Sequence, residues 1–397
     1  MILSFLHKKI SISQKWLKLA TVIVSTFLFL TVVGYSIYLY MQNVALRAEV
    51  VKNTATIQEI NKEFDDVKSQ DQYKTNAALQ KQIDQVKTTF SQSVTVYEKL
   101  LDLENPPKDI KGLDSLYANV LSQLAKSDYS GAANSLTDIS SKITAEQSKL
   151  VATAAIPANI PLSTSAPSSG SYSRQQVSTD MGNFMVDIVA GDLGSTKVIV
   201  DTASDSTCGN NCPVFSLATY VSRSGAYAGV NGSYFCPSTY PTCVGKTNSF
   251  DLLLMNKNKT YFNSDNNVYS SNPGVVFGGS YVRFLTAVSQ WGRDTSIDGM
   301  ISNYPLLIFN SNIAFAGSSD PKINSASTRS FVANKGNTIY IGVVHGATTE
   351  QVAHVMKTLG MDNALNLDDG GSAAFWYGGY KVGPGRDLSN VILFVKK

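Results

Sequence analysis

The chain has 397 residues, 43% hydrophobic and 16% charged, and its 33 Lys and Arg nearly balance 30 Asp and Glu, leaving a formal charge of +3. That length admits two or three domains, and the composition is neither disordered nor collagen-like, so at least one sizeable core is expected. So small a charge, with no basic stripe interleaved with aromatics, argues against nucleic acid as a partner.

Residues 1–18 carry Lys8, Lys9, Lys15 and Lys18 and no acidic residue, and residues 19–41 then run uncharged, mostly Leu, Ile, Val, Phe, Tyr and Thr. Such a run matches the roughly 20 residues that cross a bilayer core. A cleaved secretory signal is the rival reading, but its apolar region is shorter and no small-x-small cleavage site follows promptly here. The lysines before the span, against the mixed set Arg47, Glu49 and Lys52 after it, keep the N-terminus cytoplasmic. The expectation is a single-pass cell-membrane protein with an extracytoplasmic C-terminal domain.

Only Gly34, Gly112, Gly131 and Gly170 of the 28 glycines lie before residue 175, which separates a helical half from one of sheets and turns. Over residues 42–152 apolar residues recur at Val50, Ile57, Phe64 and Val67, then at Leu79, Ile83, Val86, Phe90, Val94, Tyr97 and Leu101, steps of three and four that mark a helical seam. Pro106 and Pro107 stop that helix. Leu113, Leu116, Val120, Leu121 and Leu124, then Ala132, Leu136, Ile139 and Ile143, predict two shorter amphipathic helices. The region reads as a coiled-coil or small-bundle stalk with a solvated outer face, capable of self-association, and no chemistry is visible in it.

Residues 153–176, rich in Ala, Pro, Ser and Thr, cannot build a core and read as a linker. In residues 177–397, short apolar runs (Phe184–Ala190, Val198–Val200, Thr338–Val344, Val391–Val395) alternate with Gly, Asn, Asp and Ser turns. A helix is predicted from Phe215 to Arg223. Another opens on the capping box Thr348 and Gln351, shows the apolar face Val352, Val355, Met356 and Leu359, and ends at Gly360. Lying between strands Thr338–Val344 and Asn363–Leu367, it suggests a crossover, so the fold class is α+β with a mixed sheet and a few helices.

All four cysteines, Cys208, Cys212, Cys236 and Cys243, fall on the exported side, where thiols oxidise in pairs. Zinc is the alternative, but Cys-x3-Cys and Cys-x6-Cys miss the zinc-ribbon spacing. The local pairings, Cys208 with Cys212 and Cys236 with Cys243, are favoured, though sequence alone leaves connectivity open.

The densest polar cluster is Asn366-Leu367-Asp368-Asp369-Gly370-Gly371-Ser372, placed where a strand should end. Its carboxylates and hydroxyl leave one turn whose glycines let a ligand approach the backbone; an ordinary Asp-Gly turn is the bland reading. Asn231-Gly232-Ser233 could face a sugar or phosphate, or be a plain turn or a glycosylation acceptor like Asn258-Lys259-Thr260. Arg329, between Thr328 and Ser330, and Arg386 could each hold an oxyanion in a bidentate fork, although most surface arginines are merely solvated.

Taken in order, the run from Ala226 to Phe235, the segment Ser327 to Ala333, the helix after His345-Gly346 and above all Ala364 to Ser372 resemble the phosphodiester glycosidase family, which includes the uncovering enzyme. The resemblance covers roughly residues 185–395. It implies that Asn231, Arg329, Asp368, Gly370, Gly371 and Ser372 line the active site, with Arg386 and Asn390 matching a C-terminal element. Two departures stand out: Asp369 replaces a glycine of the family's Leu-Asp-Gly-Gly-Gly-Ser turn, and His345-Gly346 stands where members have Asp-Gly.

The implied chemistry is release of a sugar from phosphate, with Asp368 as nucleophile or general base, Arg329 on the phosphate, and Asn231 and Ser372 on sugar or phosphate oxygens. Asp369 would raise the pKa of Asp368 by like-charge repulsion, or else point into solvent; His345 is a candidate proton shuttle, and His354 is expected on a solvated helix face. No cofactor is required by this scheme, although Asp368 and Asp369 leave room for calcium or magnesium. The partner is a carbohydrate or sugar phosphate in envelope or extracellular glycans. The alternatives are a glycan-binding module without turnover and an adaptor working through its stalk.

Overall fold

The computed structural model describes residues 2–103, 111–153, 160–265, 267 and 269–397. Pro106 and Pro107, the expected helix stop, and residues 154–159 of the expected linker lie outside the described residues. The chain divides into two compact units, residues 1–85 and 86–397.

The first unit is dominated by α1 (Ile2–Ser69). Among the described residues α1 alone is long and apolar enough to cross a membrane. Its Val22, Phe27, Phe29 and Tyr35 are each more than half exposed. The hydroxyls within it donate back to the preceding turn, Thr26 Oγ1 to Val22 O at 2.7 Å and Thr31 Oγ1 to Leu28 O at 2.8 Å. A helix can so carry them into hydrocarbon. Together with the disulfides further on, this apolar helix is compatible with a single-pass membrane protein or a secreted one.

In the second unit the end of α2 (Asp71–Leu103) packs with α3 (Lys111–Ala125) and α4 (Tyr129–Thr153) around Val96, Leu100, Val120, Leu124, Leu136 and Ile139. The buried positions of α2 are offset from the predicted seam: Leu79, Ile83, Phe90 and Tyr97 are exposed, whereas Ser93, Val96, Leu100 and Leu103 are buried. The α3 and α4 side chains, and not a seam partner, decide which face of α2 turns inward.

The rest of the unit is the α+β domain, built on three sheets. The seven-stranded sheet runs, in spatial order, 172–179, 182–192, 338–347, 327–335, 363–369, 306–309 and 312–313. A five-stranded sheet runs 380–382, 375–377, 228–231, 390–396 and 196–202, and another five-stranded sheet is formed by strands between 254 and 302. The main core lies where the sheets face each other, with Val200, Val230, Phe277, Val332, Leu367 and Phe375 at its centre. A second core sits under α7 (Thr349–Thr358), after α5 (Leu217–Ser224) and the short α6 (Pro321–Asn324).

The α7 capping box forms as expected, with Gln351 N donating to Thr348 Oγ1 at 3.2 Å and Thr348 N to Gln351 Oε1 at 2.8 Å. Its crossover is split: the strands that α7 connects, 338–347 and 363–369, are each antiparallel to 327–335, which lies between them. The expected linker is partly absorbed: a strand already begins at Tyr172, and Ser163 N donates to Gln176 O at 2.9 Å. The disulfides are Cys208–Cys212 and Cys236–Cys243, so no thiol is left for zinc.

Candidate active site

Asp368 lies at the end of the strand Asn363–Asp369, and the chain then turns through the short 3-10 helix Gly370–Ser372. Two bonds fix its backbone: Asp368 N donates to Gly232 O at 2.8 Å, and Asn231 Nδ2 donates to Asp368 O at 2.6 Å. The other end of the Asn231 amide accepts from Ser330 Oγ at 2.6 Å and Ala374 N at 3.1 Å. Asn231 therefore ties its own strand, the strand of Ser330 and the segment entering the strand at Phe375 to the acidic turn. A side chain at Gly232 would strike Asn390 Oδ1, which accepts from Ser233 N at 2.8 Å.

This turn borders a cavity of about 850 Å³ whose wall includes Asp368, Ser372, His345, Arg386, Tyr234 and Tyr304. Aromatic rings beside carboxyl and guanidinium groups suit a sugar carrying a charge. Asp369, Gly370 and Gly371 line it too. The guanidinium of Arg386 lies against Gly371, where any side chain would collide with it, and Arg386 N donates to Gly371 O at 3.0 Å.

The sequence placed both Arg329 and Asn231 in contact with substrate, and the geometry places them behind the wall. Arg329 is 1% exposed and does not border the cavity. Its Nη2 donates to the carbonyls of Lys322 at 2.8 Å, Ile323 at 3.0 Å and Ser325 at 2.6 Å, its Nε reaches Ala347 O at 3.3 Å, and Nη1 pairs with Asp369. A guanidinium with these partners is spent on the fold and offers no free fork to a phosphate. Asn231 and Asn390 are 0% and 1% exposed and likewise stand outside the cavity, and that burial also removes Asn231 as a glycosylation acceptor.

The two adjacent carboxyls are treated differently. Burial first, and then the negative charge of Asp369, push Asp368 up to about 7 against smaller opposing effects of Ser372 and Arg386. Burial also raises Asp369, but Arg329 opposes it directly. Asp369 thus has a cation in contact, while Asp368 faces the cavity without one and can exchange a proton near neutrality.

At another part of the wall His345 Nε2 lies 2.7 Å from Asp187 Oδ2. Asp187 is wholly buried and also receives Tyr172 and both arms of Arg174, Nε at 2.8 Å and Nη2 at 2.9 Å. Burial would raise its pKa, but His345, Arg174 and Tyr172 outweigh burial and hold it at about 2. His354, expected in solvent, pairs with Asp180 at 2.6 Å.

Several wall residues had no signal in the sequence. Lys99 and Asp102 come from α2, and Tyr240 and Thr242 from the loop closed by Cys236–Cys243. Among the described residues no group of three His, Cys, Asp or Glu side chains gathers as a metal site.

Residues 224–395 match the family model of the phosphodiester glycosidases. Among solved structures the chain is similar to the catalytic domain of zebrafish N-acetylglucosamine-1-phosphodiester alpha-N-acetylglucosaminidase, auto-inhibited by its pro-peptide, at 16% identity and a TM-score of 0.46, over 59% of this chain and 87% of that one. It is also similar to a hypothetical protein from Synechocystis at 12% identity and a TM-score of 0.42, over 57% of this chain and 62% of that one. No curated protein matches the chain significantly.

Proposed function

We propose that the chain is a membrane-anchored, extracytoplasmic glycosidase that hydrolyses a sugar–phosphate linkage in envelope or extracellular glycans, its N-terminus cytoplasmic. The observation that supports it best is Asp368, buried in the wall of a cavity whose same wall carries Arg386. Water attacks the anomeric carbon and gives a proton to Asp368; the carbon–oxygen bond to phosphorus breaks, and its electron pair leaves with the phosphate. Arg386 neutralises the departing charge, and Ser372 and the Gly370–Gly371 backbone line the path of the sugar. Asn231, Asn390 and Arg329 act at one remove, by holding the turn.

The test is turnover of a panel of sugar phosphodiesters by the full chain in detergent micelles. Asp368→Asn is expected to lower kcat by about 10²–10⁴-fold with the fold intact. Undiminished release of sugar by that variant would defeat the reading; binding of glycans by the parent chain without any product would select the non-catalytic alternative.

A further inference from the structure

The last turn of α2 reaches into this cavity. Asp102 accepts from the Tyr240 hydroxyl, at 2.6 Å through Oδ1 and 2.7 Å through Oδ2, and from Arg386 Nη2 at 2.9 Å. The Arg386 guanidinium stacks 5.1 Å above the Tyr240 ring. One turn earlier on the same helix face, Glu98 accepts from Lys322 Nζ at 2.8 Å and from Thr242. Asp102 and Glu98 are four residues apart, so one helix surface makes both contacts.

A guanidinium and a phenol converging on one carboxylate form a site for an oxyanion in general. The acidic turn is the neighbour of this site, because Arg386 rests on Gly371 and its charge acts on Asp368. We propose that Arg386 and Tyr240 form the seat of the substrate's phosphate, and that Asp102 is an internal anion occupying that seat, so that α2 must withdraw its last turn before a phosphodiester binds. This inference rests on the glycosidase reading for its substrate but not for its geometry.

The contact is built to be exchanged. The Asp102 side chain is 30% exposed and that of Arg386 is 16% exposed, so water reaches the pair as it opens. The Arg329–Asp369 pair, by contrast, has its guanidinium only 1% exposed and surrounded by carbonyls. An internal ligand that holds a site most of the time weakens the external one by the fraction of time the site is free.

The experiment titrates inorganic phosphate into the full chain in detergent micelles by calorimetry. Asp102→Asn and Asp102→Ala are each expected to bind phosphate about tenfold more tightly than the parent chain. Arg386→Gln is expected to abolish binding, and to cancel the gain when combined with Asp102→Asn. Unchanged affinity in both Asp102 variants overturns the proposal. So does a gain that survives Arg386→Gln, which would reduce the effect of Asp102 to charge repulsion at a distance. Turnover is not part of this readout: if the phosphate pattern holds while no sugar phosphodiester is cleaved, the glycosidase reading fails and the gated anion seat stands.

Discussion

Asp187 and Asp368 are buried carboxyls of the same seven-stranded sheet, yet one is held ionised and the other near its titration point. The Asp187 cluster surrounds its carboxylate with Arg174, Tyr172 and His345, all donors. The acidic turn gives its guanidinium to Asp369 and leaves Asp368 with burial and a neighbouring negative charge. Burial alone therefore does not decide how a carboxyl titrates; the donors within reach do, and the first region is a fixed anion while the second holds a carboxyl that titrates near neutrality.

The most severe way to break this contrast is Arg329→Met, which strips the acidic turn of its cation and leaves Asp369 uncompensated. We expect a loss of about 3–5 kcal/mol in denaturant unfolding, seen as a collapsed midpoint and not as a selective effect on kcat. Next comes Asp368→Asn at pH 8. The folded value of about 7 lies above the ordinary 3.8, so the native state keeps a proton that the unfolded chain releases, and stability falls as pH rises from about 4 to 7. The amide escapes that penalty and should be more stable than the parent by a few kcal/mol at pH 8 while inactive; equal midpoints would show that Asp368 is not held protonated.

Asp187 carries the opposite sign. Its value of about 2 lies below 3.8, so its contribution is complete above about pH 4 and lost as pH falls through 2. Unfolding measured between pH 5 and 2 should show the parent losing about 2 kcal/mol more than Asp187→Asn over that window. The smallest effect is expected from Arg386→Gln, whose partner Asp102 is partly exposed: stability should shift by about 1 kcal/mol or less, whatever happens to ligand affinity.

Much of this was legible in the residues. The apolar span, the α7 capping box and the Asp-Asp-Gly-Gly turn all depend on neighbours in sequence, and such patterns survive without coordinates. What was misread depends on contacts that leave no side-chain pattern in the sequence, whether to nearby carbonyls or to distant residues. Arg329 looked available because the carbonyls of Lys322, Ile323 and Ser325 that consume it have no side-chain signature. Asp102 looked like one more solvated helix charge, because nothing local shows that Tyr240 and Arg386, 138 and 284 residues away, meet it. Asp187 sat unnoticed inside an apolar run for the same reason.

The strand Asn390–Lys396 lies between 228–231 and 196–202, and its pairing runs through Lys396 opposite Thr196. A nascent chain, made from its N-terminus, leaves that slot open until synthesis reaches residue 396. Local contacts close early and such distant pairings close late. The five-stranded sheet beneath the acidic turn is thus completed only after translation of the whole domain, and a ribosome stalled a few codons short would leave Asn231 and the turn without their support.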